Sequence, residues 1–117
     1  MNKYQKGVSL YIALMTMGVL LALALGLAAI LFGQLKVMEG VGDSVLAFYA
    51  SNTGIERTLY EISQGAGIGS HYQDTLENGS SYLADVIASD SDCPGPNYCI
   101  KSVGIYKQTR RAIRITR

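Results

Sequence analysis

The residues able to do chemistry are few in this chain and lie far apart. The only histidine is His71, the only cysteines are Cys93 and Cys99, and Asp90 and Asp92 form a short acidic cluster. A catalytic site needs a nucleophile, a base or a metal set in a pocket, and no such constellation emerges from these positions. The acidic cluster lacks the spacing and the following glutamate of a calcium loop. The sequence therefore predicts no enzyme, no metal site and no cofactor, and a surface or packing role for His71.

An apolar stretch dominates the N-terminal part of the chain. Between Lys6 and Lys36 no residue is charged, and residues 8–32 are almost entirely Val, Leu, Ile, Ala, Met and Gly. A bilayer core needs about 20 such residues in a helix, so the stretch can span a membrane. Because lysines precede it and acidic residues follow it closely, we expect the N-terminus to stay in the cytoplasm. The remainder is short enough for one small domain.

The two cysteines are expected on the exported side of this segment, where disulfides persist. They enclose the run Pro94-Gly95-Pro96-Asn97, whose residue types favour a turn and can bring the two ends together. Metal binding is the alternative, but the chain has no second cysteine pair and one histidine. We expect a short disulfide loop between Cys93 and Cys99.

The helical pattern continues beyond the apolar stretch. From Leu35 to Ile62, apolar residues recur at helical spacing with charged residues between them, which is typical of an amphipathic helix. The pattern predicts one helix from about residue 8 to residue 63, with bends or local melting around Gly40 and Gly42 because glycine lowers helix propensity. Gly65 is well placed to end the helix in a left-handed conformation.

The last part of the chain carries strand signals. A turn at Asn78-Gly79 precedes an apolar strand at 82–87, and residues 100–106 and 112–116 flank a predicted hairpin turn at 107–109. About three antiparallel strands cannot bury enough surface alone, so the amphipathic helix must supply the second layer. The helix face predicted to cover the sheet consists of Val45, Phe48, Tyr49, Ile55, Leu59 and Ile62. The predicted fold class is α+β: a long N-terminal helix, apolar then amphipathic, packed on a small antiparallel sheet of about three strands.

Two segments of the sequence resemble a known family. The leader Met-Asn-Lys-Tyr-Gln-Lys-Gly, followed by Val8-Ser9-Leu10, resembles the class III signal of type IV pilins and type II secretion pseudopilins. Residues 47–61 are similar to the post-membrane helix of PilX-like minor pilins and K-type pseudopilins. The resemblance covers about half of the chain and implies a pilin-like fold. It also implies that a prepilin peptidase cleaves after Gly7 and methylates Val8, which leaves the apolar segment in the mature protein.

Other interpretations of the apolar segment stay open. A secretory signal would have an apolar core of about 7 to 15 residues and a small-residue cleavage site, whereas this run continues to Phe32. A plain membrane anchor is the second alternative. Lateral assembly is favoured by small residues at intervals of about four, which allow helices to approach closely. These residues are Gly18, Ala22, Gly26, Ala29 and Gly33.

One position departs from the family pattern. Most pilins have a glutamate at the fifth mature position, where it neutralises the N-terminal amine of a neighbouring subunit, but that position is Ile12 in this chain. A carboxylate buried in an apolar bundle is costly unless it is paired, so a subunit with nothing ahead of it could dispense with the group. The resemblance therefore implies a minor pilin that initiates or caps the filament. A major pilin and a signal-anchored domain that never assembles are the alternatives.

The expected organisation follows from these boundaries. Residues 1–7 form the leader, 8–33 the transmembrane and filament-core helix, 34–64 its amphipathic half, and 65–117 a small β region pinned by the disulfide. The expected partners are the prepilin peptidase, other pilin subunits and the cytoplasmic membrane, which the chain crosses once before it enters an extracellular filament. The formal net charge of +1 is unlike that of nucleic-acid-binding proteins, so no nucleic-acid partner is predicted. The C-terminal arginines could still contact DNA, phosphate or the carboxylates of a neighbour, although charges on an exposed strand more often serve solubility.

Overall fold

The computed structural model describes residues 3–117, with side chains from Gly7 onward. It contains one helix and four strands: α1 (Lys3–Ser63), β1 (His71–Thr75), β2 (Ser81–Ala88), β3 (Tyr98–Tyr106) and β4 (Thr109–Thr116). These residues form two compact units, one up to Met38 and one from Glu39 to Arg117. The second unit packs the helix on an antiparallel sheet, so the predicted α+β class is confirmed.

Helix α1 corrects two predictions about its course. It begins at Lys3, so the predicted leader is helical over its described part; Met1 and Asn2 lie outside the described residues. It also continues through Gly40 and Gly42, so the chain is helical where bends or local melting are expected and the local melting does not occur. A glycine costs a helix only about 1 kcal/mol. Breaking the helix in the middle would require a second costly nucleation, so the uninterrupted helix is preferred.

The end of α1 agrees with the prediction. Gly65 has φ of +104°, in the left-handed region that glycine adopts readily. Its amide donates a hydrogen bond to the Ile62 carbonyl, and the Ala66 amide donates to the Glu61 carbonyl, both at 3.0 Å. This pair of hydrogen bonds is a Schellman motif, which satisfies carbonyls that the helix end would otherwise leave free.

The sheet has four strands in the order β1-β2-β3-β4, with all neighbours antiparallel. The three predicted strands are present as β2, β3 and β4, and the turn before β2 has Gly79 at φ of +83°. The fourth strand, His71–Thr75, was not predicted, because its only apolar residue is Tyr72 and its other side chains are exposed. Backbone pairing with β2 holds it, from His71 opposite Asp85 to Thr75 opposite Ser81.

Most of the helix residues at the contact between α1 and the sheet are small. The buried residues on the helix are Ala47, Ala50, Ser51, Gly54, Ile55 and Thr58, and those facing them on β2 and β3 are Tyr82, Ala84, Val86, Ile100, Ser102 and Gly104. A Cβ added at Gly104 would overlap the Ala47 carbonyl oxygen and lie 2.5 Å from the Ser51 amide nitrogen. The two backbones therefore nearly touch, and only small side chains fit between them.

This close approach overturns part of the predicted packing face. Val45, Phe48 and Tyr49 are 46%, 50% and 62% exposed, whereas Ile55 is 3% exposed as predicted. Leu59 and Ile62 are partly buried. The large side chains around position 48 were assigned to the core on hydrophobicity alone. The glycine on β3 instead selects the alanine and serine face of the helix, which turns the aromatic residues outward.

Candidate processing and assembly surfaces

The predicted processing site lies within helix α1. Gly7 and Val8 are both helical and exposed, and Val8 is 58% exposed. A Cβ added at Gly7 would meet no atom of the chain within 4 Å. The chain itself therefore places no limit on the size of residue 7, and any such limit must come from a partner.

The first unit leaves its apolar side chains uncovered. The large apolar side chains between Val8 and Met38 are between 54% and 71% exposed, the extremes being Met15 and Phe32. The segment belongs to the one helix within residues 3–117 that is long and apolar enough to cross a membrane. Covering such side chains stabilises a protein by about 1.5–3 kcal/mol each relative to exposure in water. Lipid or other apolar helices are the surroundings that suit this segment.

The small residues predicted to mediate helix packing lie on one side of α1, since their spacings of four, four, three and four residues follow the helical repeat. Added Cβ atoms at Gly18, Gly26 and Gly33 would meet nothing within 4 Å. A shallow apolar groove borders the last of them, between Ile30 and Met38. These glycines thus contact no other part of the described chain, and a surface of this kind would let another helix approach closely.

The disulfide is present as predicted. Cys93 and Cys99 are bonded, with Cα atoms 6.1 Å apart, and both residues are buried. The Asp90 carboxylate accepts hydrogen bonds from the Asp92 and Cys93 amides, each at 2.9 Å. The acidic cluster thus closes the turn before the disulfide, and the amide of Tyr98 donates to the Arg117 carbonyl at 3.1 Å. The disulfide and these hydrogen bonds therefore hold the 90–99 loop at the end of the sheet.

His71 lies at the start of β1 with its imidazole half-exposed. Its Nδ1 contacts the carboxylate of Asp85, the residue opposite it on β2. The hydrogen bond that the imidazole donates to the Asp85 carboxylate, followed by the attraction of that negative charge, raises the pKa of His71 above its ordinary value of 6.5. Within residues 3–117, no group of three or more His, Cys, Asp or Glu side chains could hold a metal ion. The pair therefore acts as a cross-strand ion pair when the imidazole is protonated.

A surface that the sequence did not predict lies beside β4. A groove of about 520 Å³ is lined by Ser44, Val45, Phe48 and Tyr49 of the helix and by Arg111 and Ala112 of the strand. The two aromatic rings meet edge to face with centroids 6.3 Å apart. Arg111 Nε donates a hydrogen bond to Ser44 Oγ at 2.6 Å, which holds the guanidinium at the groove. The sequence contained two signs of this groove, the aromatic pair Phe48-Tyr49 and the arginine-rich segment of β4. They do not predict a groove because the aromatic residues are expected in the core.

Comparison of the chain with protein-family models, curated proteins and solved structures found no match. The chain combines a helix able to cross a membrane with a disulfide-containing α+β unit, and that unit exposes a groove at one edge of its sheet.

Proposed function

We propose that this chain is a subunit of an extracellular filament of the type IV pilin kind. The observation that carries the proposal is the exposure of every large apolar side chain from Val8 to Met38, on a helix that continues as one layer of the α+β unit. Such a helix can wait in a membrane and then exchange lipid contacts for contacts with neighbouring helices. Because lipid tails are as apolar as leucine, close packing at small residues must favour the exchange.

Processing is the second element of the proposal. A prepilin peptidase cleaves after Gly7 and methylates Val8, as the likeness of the leader to class III signals implies. The mature chain then crosses the cytoplasmic membrane once, with its α+β unit outside. Exposure of both residues supports access to this bond.

The particular subunit proposed is a minor pilin that initiates or caps the filament. Ile12 is 56% exposed on α1 and takes the place of the usual carboxylate. A subunit with nothing ahead of it needs no group to neutralise the amine of a neighbour, and a buried unpaired carboxylate would be costly. Labelling of the chain in intact filaments tests whether the subunit lies at the filament end. Label confined to one end supports it, whereas label along the whole length favours a major pilin.

Replacement of Gly7 tests the processing step. We expect Gly7→Leu to leave the precursor uncleaved and confined to the membrane, because the larger side chain would not fit the peptidase beside the bond that it cleaves. Gly42→Leu is the matched control, since an added Cβ meets no atom within 4 Å at either position. Mass spectrometry of the N-terminus after coexpression with a prepilin peptidase gives the readout. Normal cleavage of Gly7→Leu would contradict the proposal.

Replacement of Gly26 tests assembly through the helix. Gly26→Leu leaves the fold of the chain intact, because no atom lies within 4 Å of the added Cβ and leucine has the higher helix propensity. It should nevertheless prevent close helix approach and remove the chain from filaments. Ala24→Leu places the same side chain on the opposite side of α1 and should assemble normally. Equal incorporation of both variants would favour the plain-anchor alternative.

A further inference from the structure

Among residues 3–117, the sheet of the second unit has two unpaired edges. β1 pairs only with β2, and β4 pairs only with β3. An unpaired edge presents backbone N–H and C=O groups that can bond to an added strand. Both strands are short, with five residues in β1 and eight in β4.

The β4 edge is basic and adjoins the groove described above. Arg110, Arg111 and Arg114 are all exposed along this strand. The exposed rings of Phe48 and Tyr49 lie on the helix side of the same groove. A groove between a helix and a sheet edge suits an extended segment, because backbone bonds to the edge are joined by side-chain contacts with the helix. Its charge favours a segment that carries a carboxylate.

The β1 edge has the complementary character. Asp74 is exposed and, within residues 3–117, has no ion-pair partner. Arg57 lines the same shallow depression as Asp74, but its guanidinium is paired with Glu61 at 2.7 Å. Tyr72, two residues before Asp74, is partly buried and lies on the same face of the strand.

The faces of the two edges match in one register. Tyr72 lies opposite Ala84 and Asp74 opposite Tyr82, which places both on the helix side of the sheet. Residues 111 and 113 lie opposite Gly104 and Ser102, so they are on the helix side as well. An antiparallel pairing with Asp74 opposite Arg111 brings Tyr72 opposite Ile113 and keeps all five β1 residues within β4.

We propose that the β4 edge of one copy of this chain binds the β1 edge of a second copy in this register. The Asp74 carboxylate then pairs with the Arg111 guanidinium, and Tyr72 lies opposite Ile113. The biological role of this contact rests on the proposed filament function, to which it adds a specific contact between subunits. The contact joins different surfaces of the two copies, the β4 edge of one and the β1 edge of the other. It also predicts that an initiating complex contains at least two adjacent copies.

Cysteine cross-linking of full-length chains in membranes tests the register. Gln73 and Ala112 would lie opposite each other, and both are exposed. One tagged chain carries Gln73→Cys, a differently tagged chain carries Ala112→Cys, and a short bifunctional thiol reagent links them without reducing the native disulfide. We expect a mixed dimer. The control pairs Gln73→Cys with Thr116→Cys, an exposed residue on the same face about 14 Å farther along the strand. Equal linking of both pairs, or of neither, overturns the proposal.

A charge exchange tests the pairing chemistry. Asp74→Arg on the first chain, or Arg111→Asp on the second, should lower the yield of mixed dimer about threefold or more, since each change opposes like charges. Combining the two variants should restore the yield. Failure of the combination to exceed the single changes would overturn the assigned contact.

The outcomes separate this contact from the proposed function. If Val8 becomes the mature N-terminus and the chain enters filaments while no mixed dimer forms, the edge contact is wrong and the filament function stands. If the mixed dimer forms but the precursor is never processed, the contact stands and the filament function is wrong.

Discussion

The substitution Gly104→Ala tests the helix-on-sheet packing of the second unit. The added Cβ would meet the carbonyl oxygen and carbon of Ala47 and the amide nitrogen of Ser51, with the carbon at 3.0 Å and the nitrogen at 2.5 Å. All three are backbone atoms of α1, so no side-chain rotation relieves the overlap. The helix must move away from β3, which also stretches the 2.8 Å hydrogen bond from Ser102 Oγ to the Ser51 carbonyl.

The expected loss is about 3 kcal/mol, at the upper end for overpacking of a rigid core. For a unit of this size, such a loss lowers the melting temperature by roughly 12 to 24 °C. Thermal unfolding of the full chain in detergent, followed by the near-ultraviolet circular dichroism of its tyrosines, gives the measurement. The control Gly42→Ala adds its methyl to open space and should not lower the midpoint.

A second comparison separates backbone contact from side-chain contact. At Gly54 an added Cβ would meet side-chain atoms of Ser102 and Tyr82, the latter at 2.8 Å. These are buried side-chain atoms, which yield at a smaller cost than the helix backbone, and alanine gains about 1 kcal/mol of helix propensity, so Gly54→Ala should cost less than Gly104→Ala. A free energy of unfolding for Gly104→Ala within about 0.5 kcal/mol of that of the parent would refute this packing.

Three further predictions concern the second unit. Replacement of Cys93 and Cys99 by serine should lower the free energy of unfolding by about 2 kcal/mol, as chain entropy gives for a separation of six residues, and an unchanged urea midpoint would contradict this. The imidazole of His71 should titrate above pH 6.5 by NMR and return toward 6.5 in Asp85→Asn. Because the pKa of His71 is raised in the folded state, the stabilisation by this ion pair is present below pH 6.5 and is lost as the pH rises through the folded-state pKa. Equal NMR titration midpoints for His71 in the parent and in Asp85→Asn would refute the pairing. Lys107→Gln removes an exposed ion pair with Asp43 of the helix and should leave the thermal midpoint almost unchanged, because water screens the pair; a clear drop in the midpoint would contradict this.

Local rules predicted the elements whose signals are local. The left-handed Gly65, the turn at Gly79 and strands β2 to β4 each depend on residue types within a few positions. The C-terminal end of α1 and the disulfide between Cys93 and Cys99 were predicted for the same reason.

Elements determined by distant contacts could not be predicted. Strand β1 has little apolar character, and its pairing with β2 is visible only once the sheet exists. The packing face of α1 was misassigned because it is selected by Gly104, more than fifty residues from the helix face it contacts. The groove beside β4 follows from that same contact, since the close approach leaves Phe48 and Tyr49 outside the core.

In the proposed function, residues 8–33 hold a processed subunit in an extracellular filament. Mass spectrometry of the chain recovered from filaments sheared off the cell surface tests this proposal. We expect a mature chain that begins at N-methylated Val8 and is present in the sheared fraction. An intact Met1, or a chain that begins near Leu25 and is absent from that fraction, would contradict it.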